Sequence, residues 1–258
     1  MIAGRLRKRF AEQDWFAVAV EVAIVLVGVF LGIQANNWNE ARLDRARAHS
    51  YHIRLIEDLR ATEQGARASF DYYRDAHDHA LATLAGFDRP AASLGTPFLV
   101  NAYQATQIFN RAARRSTYDE ILSSGDAELI GAADLRTRLA NFYWRQDALI
   151  AYTSIITPYR SRLRGLLPYA VQARILARCE ETRADNGGGM LIVRLPRDCL
   201  VTVPPNLSRE AVAALRAAPG LKQDLTFALA DLDLKLNSFR LLVASARAMR
   251  AELEKSSS

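Results

Sequence analysis

The chain has 258 residues, half of them hydrophobic and 24% charged, an ordinary globular balance that can bury a core and excludes disorder. A mean hydropathy of -0.07 excludes a multi-span membrane protein and fits one span plus a polar-surfaced domain. The net charge is +6, but 34 basic residues are offset by 28 acidic ones and the Arg residues are scattered, so a nucleic-acid partner is not expected.

From Phe16 to Ile33 every residue is apolar or Gly except Glu21. With its flanks, Trp15 to Trp38, the segment makes a helix of about 36 Å, enough to cross a hydrocarbon core of about 30 Å with some tilt. Trp15 and Trp38 stand where an aromatic belt belongs. A cleaved signal peptide is disfavoured by the length of the run, by Glu21 and by the poor cleavage site Ile33-Gln34-Ala35. A buried soluble helix would not need so unbroken an apolar run. The expectation is an uncleaved anchor in a lipid bilayer. It divides the chain into a cytoplasmic tail (1–14), a transmembrane helix (15–38) and an extracytoplasmic helical domain (39–258).

Orientation rests on two features. Arg5, Arg7, Lys8 and Arg9 precede the span while Arg42, Arg45 and Arg47 follow it, a narrow bias toward a cytoplasmic N-terminus. Cys179 and Cys199 flank Gly187-Gly188-Gly189, so the chain can double back between them. In an exported domain, two Cys read as one disulfide. The other reading is two unrelated buried thiols.

One face of the span stands out. Glu21, Gly28, Gly32 and Asn39 fall within roughly 20° of one helix meridian. Gly28-x-x-x-Gly32 is the spacing that lets two membrane helices approach closely, and an ionisable residue in a span normally faces a partner. This favours self-association into a homo-oligomer, with Glu21 hydrogen-bonded across the contact. The alternative is chance Gly spacing, with Glu21 reaching back to the headgroups.

Beyond the span, Ile56, Leu59, Ala66, Phe70, Tyr73, His77, Leu81 and Leu84 recur at helical spacing, and Gly86 and Pro90 end that helix. Thr96-Pro97 reads as an N-cap followed by Pro at the first helical position, opening a helix to about Asn110. Thr117-x-x-Glu120 reads as a capping box, and Gly125 as the stop of the helix it begins. A long helical pattern from Asp134 to Leu167 is kinked or split by Pro158, and Pro168 opens a further helix to about Glu181. The excursion 182–207 is the non-helical stretch, with Leu191–Val193 and Leu200–Val203 as two short strands. Ser208 caps a short helix and a last helix runs from Leu221 to Glu254. The fold class expected is mainly α. One N-terminal transmembrane helix continues into a bundle of four or five long antiparallel helices, with one small irregular or β-hairpin excursion.

Chemistry is harder to find. His49 and His52 could share a helix face, but no Glu-x-x-His accompanies them, and the four His, with His77 and His79, read as solvated. Ser123-Ser124-Gly125 fits a helix end, the two Cys lack redox spacing, and the Gly triplet is not followed by Lys-Ser/Thr. Glu57-Asp58 and Glu180-Glu181 read as solvated surface. No catalytic, cofactor or metal residue is assigned.

The stretch Leu31-Gly32-Ile33-Gln34-Ala35-Asn36-Asn37-Trp38-Asn39-Glu40 resembles the signature of a family of uncharacterised bacterial single-span membrane proteins. In that family a span with an early Glu (here Glu21) runs into an Asn-Asn-Trp-Asn-Glu segment. Leu55-Ile56-Glu57-Asp58-Leu59 and Thr117–Gly125 resemble its later segments, and the likeness covers about 50 residues. The resemblance implies the topology and a bacterial inner membrane, and carries no activity. Asn36 and Asn37 at the exit interface can satisfy backbone groups or bond across a helix pair, with Trp38 setting the level. The expected function is a membrane-anchored protein acting through contacts with itself or an unknown protein partner. The alternative is an enzyme or small-ligand-binding bundle, with a site built from groups such as Tyr118, Tyr143, Trp144 and Arg145.

Overall fold

Apolar residues at helical spacing, with no Pro before Pro90, let one helix persist, and α1 spans Trp15–Phe87. The structure is a computed structural model describing residues 15–111, 114–185, 191–197 and 199–256, with side chains from residue 19. The basic tail with Arg5, Arg7, Lys8 and Arg9, the Trp15 side chain and Gly187-Gly188-Gly189 lie outside the described residues. The chain divides into two units, Met1–Ser50 and Tyr51–Ser258.

In the first unit, the described residues belong to α1. Ala19 to Ile33 are all exposed, including Ile24 at 66%, Leu26 at 65% and Phe30 at 60%. This is a helix long and apolar enough to cross a membrane. Side-chain bonds begin at its polar end, where Asn36 Nδ2 donates to Glu40 Oε1 at 2.8 Å and Arg42 donates to Asn39 Oδ1 at 3.3 Å.

The second unit is mainly α. It contains α1 from Tyr51 onward, α2 (Thr96–Gln104), α3 (Ser116–Ser123), α4 (Ala133–Thr153), α5 (Pro158–Leu166), α6 (Tyr169–Arg178), α7 (Pro205–Ala217) and α8 (Leu221–Ser256). Strands β1 (Thr182–Asp185) and β2 (Leu191–Arg194) pair antiparallel, Thr182 opposite Arg194 and Asp185 opposite Leu191. One core gathers α1, α2, α5, α6, α7 and α8 around Tyr72, Leu99, Tyr159, Val171 and Leu215. A second joins α1, α3, α4 and α8 through Leu55, Leu59, Ile121, Leu139 and Leu253.

Proline and glycine set many of the boundaries. Pro158 splits the pattern of 134–167: α4 stops at Thr153, and α5 starts at Pro158 with the Thr157 hydroxyl accepting from the Arg160 N–H. Proline fits the first helical turn because its missing N–H has no partner there anyway. Gly125 and Gly220 adopt φ of +75° and +77°, in the region that disfavours a Cβ.

Several expectations need correction. Long helices are fewer than expected: α2, α3, α5 and α6 have ten residues or fewer, because Pro158 and Pro168 open new helices and α2 stops at Gln104, short of Asn110. The cap of α2 is Gly95, and Thr96 is its first helical residue. No capping box forms at α3. Glu120 is instead held by both Nη atoms of Arg54 (2.6 and 2.9 Å), and the Thr117 N–H donates across to Asp58 at 3.2 Å. The partner of β2 is β1, and 200–203 is not a strand. Pro204, not Ser208, caps α7. On α1, Leu59, Ala66 and Tyr73 are buried as expected, but Leu81 is 47% exposed, while Thr62, Ser69, Ala76, Ala80 and Thr83 are also buried. Small residues let neighbours pack close to the α1 backbone, and a pattern of large apolar side chains misses that face.

Candidate functional site

The face marked in the sequence lies wholly in the first unit. Glu21, Gly28, Gly32 and Asn39 sit on one exposed helix, and a Cβ added to Gly28 or Gly32 would meet nothing within 4 Å. Trp38 is 67% exposed, and Asn36 and Asn37 are exposed beside it. Cys179, at the end of α6, is bonded to Cys199 beyond β2, with Cα atoms 5.4 Å apart. That bond closes the segment carrying the hairpin.

The histidines are largely engaged in structure, contrary to the solvated reading, which only His49 fits. His52 Nε2 lies 2.7 Å from the Ile130 carbonyl, and His77 Nε2 lies 3.3 Å from Asp233. His79 is buried with Nδ1 2.8 Å from Asn101 Oδ1. Among the described residues no group of three metal-ligating side chains converges. Tyr118 and Tyr143 stack at 4.4 Å in the second core, whereas Trp144 is 70% exposed, so these four groups line no common site. Asp58, read as solvated, is buried because it caps α3.

Two buried charge clusters pair acid with base. Glu63 receives Arg67, Arg247 and Arg250 at 2.7, 3.0 and 3.4 Å. Burial works to raise its pKa, but hydrogen bonds from Arg67 and Arg247 outweigh it and hold the carboxyl below its ordinary value. Lys235, 1% exposed, pairs with Asp231 at 2.8 Å between the rings of Tyr73 and Tyr152. Tyr152 donates to the other Asp231 oxygen at 2.5 Å. Burial drives the Tyr73 phenol up to about 12. Both carboxylates are thereby held by cations, while Arg250 Nε is buried without a hydrogen-bond partner among the described residues.

A third group is incomplete. A cavity of about 400 Å³ lies between α1, α4, α8 and the loop after α2. Its walls include Ala61, Ala66, Leu149, Phe239 and Leu242, and its polar lining includes Thr62, Gln146 and Arg111. Thr62 and Gln146 are 6% and 4% exposed, and the Thr62 hydroxyl and Gln146 Oε1 have no hydrogen-bond partner. Arg111 Nε and Nη2 are sealed from water and also unpartnered among the described residues. Burial alone lowers this guanidinium's pKa from its ordinary value. The sequence carried no signal for this grouping: Arg111 is one of three closely spaced Arg, and Thr62 and Gln146 lie on different helices.

The fold and these sites define a mainly α protein whose apolar N-terminal helix is compatible with a membrane anchor and whose helical unit carries one cavity with unsatisfied polar walls. No family model, curated protein or solved structure matches the chain.

Proposed function

We propose that this chain is a single-span protein of a bacterial inner membrane, with its N-terminus in the cytoplasm and its helical unit outside. It works through protein–protein contact, self-association included. The observation that carries the reading is the uncovered apolar surface of residues 19–33. Each Leu, Ile, Val or Phe left in water forgoes about 1.5–3 kcal/mol of transfer free energy, so this length of helix needs an apolar surrounding. The continuation of α1 beyond the apolar run supports an anchor over a removed signal. The Cys179–Cys199 bond supports an oxidising compartment. The face of Glu21, Gly28, Gly32 and Asn39 supports a helix–helix contact, since both Gly positions offer open space for a second backbone.

The test is protease treatment of sealed inner-membrane vesicles and of spheroplasts. The expected result is digestion of the helical unit in spheroplasts and its protection in inside-out vesicles, whose cytoplasmic face is outward. The chain should resist extraction at alkaline pH. Release into the soluble fraction would overturn the anchor. Two thiols reactive in the non-reduced protein would overturn the orientation.

A further inference from the structure

We propose that the cavity between α1, α4 and α8 binds a small organic carboxylate with an apolar body, its two oxygens held by the Arg111 guanidinium and by Thr62 and Gln146. The proposal concerns residues 61–242 and does not depend on the membrane reading, so either can fail alone.

The argument starts from what is missing. Arg111 is half-buried, and guanidinium N–H groups sealed from water are normally paired, because leaving them unsatisfied costs stability. The buried carboxylate of Glu63 and the buried ammonium of Lys235 each have an ion-pair partner. Arg111 has no ion pair among the described residues; its guanidinium carbon lies 5.3 Å from the centre of the Phe109 ring. Arg114, also on the cavity wall and exposed, adds a second positive charge with no carboxylate beside it among the described residues.

The chemistry of the ligand follows from which atoms are free. Nε and Nη2 form one edge of the guanidinium, with two nearly parallel N–H bonds that match the two oxygens of a carboxylate. The Thr62 hydroxyl can donate to the same oxygens, and the buried end of the Gln146 amide donates in its other rotation. The rest of the lining is mostly apolar, with Ala, Leu, Ile and Phe side chains beside Ser69, Asn110 and Arg114, which suits an apolar body behind the carboxylate. The volume of about 400 Å³ is in the range of small-molecule pockets.

The experiment is calorimetric titration of the full chain in lipid nanodiscs, with empty nanodiscs as blank. The probes are 3-phenylpropanoate, octanoate, 3-phenylpropan-1-ol and 3-phenylpropylamine. The expected result is binding of at least one carboxylate, with alcohol and amine weaker by about ten-fold or more. Arg111→Gln should weaken the carboxylate by about ten-fold or more while the ligand-free melting temperature holds or rises, since unsatisfied buried N–H donors are removed. Thr62→Val, close in shape, should weaken it several-fold and serves if Arg111→Gln does not fold. No heat from either carboxylate, equal binding of the alcohol, or unchanged affinity in both variants would each overturn the proposal.

Discussion

Glu63 shows how a buried acid on α1 depends on residues far along the chain. Its oxygens meet Arg247 and Arg250 from α8 as well as Arg67 one turn away. Because its folded pKa lies below the unfolded value, the stability it contributes is present above about pH 4.3 and is lost as pH falls through the folded value. Urea unfolding at pH 6 and pH 3 should show this loss, and Glu63→Gln should shrink the difference between the two. At pH 6 the same substitution should cost about 1–3 kcal/mol, the scale of hydrogen bonds to a charged group. Arg67 and Arg247 are more than half exposed, which screens their share. Lys235 is better shielded, and Lys235→Met should cost about 3 kcal/mol or more in the same assay, since Asp231 would stay buried without its cation.

At the scale of elements, the ends of helices are held from outside themselves. Asp58 on α1 accepts the Thr117 N–H in the first turn of α3, in place of a local cap. Asp58→Ala should lower the melting temperature, with a cost of about 1 kcal/mol typical of a lost cap. Gly86, near the end of α1, lies against the Phe98 ring of α2, and an added Cβ would sit 2.5 Å from Phe98 Cδ2. Gly86→Ala should therefore destabilise by about 1–3 kcal/mol in denaturant titration, as overpacking does. The hairpin is tied by the disulfide to the end of α6. Cys199→Ser should cost on the order of 3 kcal/mol in thermal unfolding, and reductant should reproduce the effect in the parent but not in the variant.

At the scale of the whole molecule, the two units differ in what covers their apolar side chains. The second unit buries two clusters of apolar side chains among its own helices, and those of residues 19–33 are not covered. If the uncovered face carries self-association, Gly28→Ile together with Gly32→Ile should abolish crosslinking of the span in native membranes while circular dichroism of the helical unit stays unchanged. Unchanged crosslinking would sink the contact role of that face.

What could be read along the chain was local. The apolar run with Glu21, Gly28 and Gly32 lies in one helix, so spacing alone placed those residues on one face. Pro158, Gly125 and Gly220 mark boundaries because ring closure or a positive φ acts within a residue or two. The tertiary structure alone decided that Asp58 caps α3, that Thr182–Asp185 pairs with β2, and that Thr62, Arg111 and Gln146 meet at one cavity. Helical periodicity tells which face is buried but not which face it meets. Polar groups far apart in sequence are brought together only by that packing, where a missing partner first becomes visible.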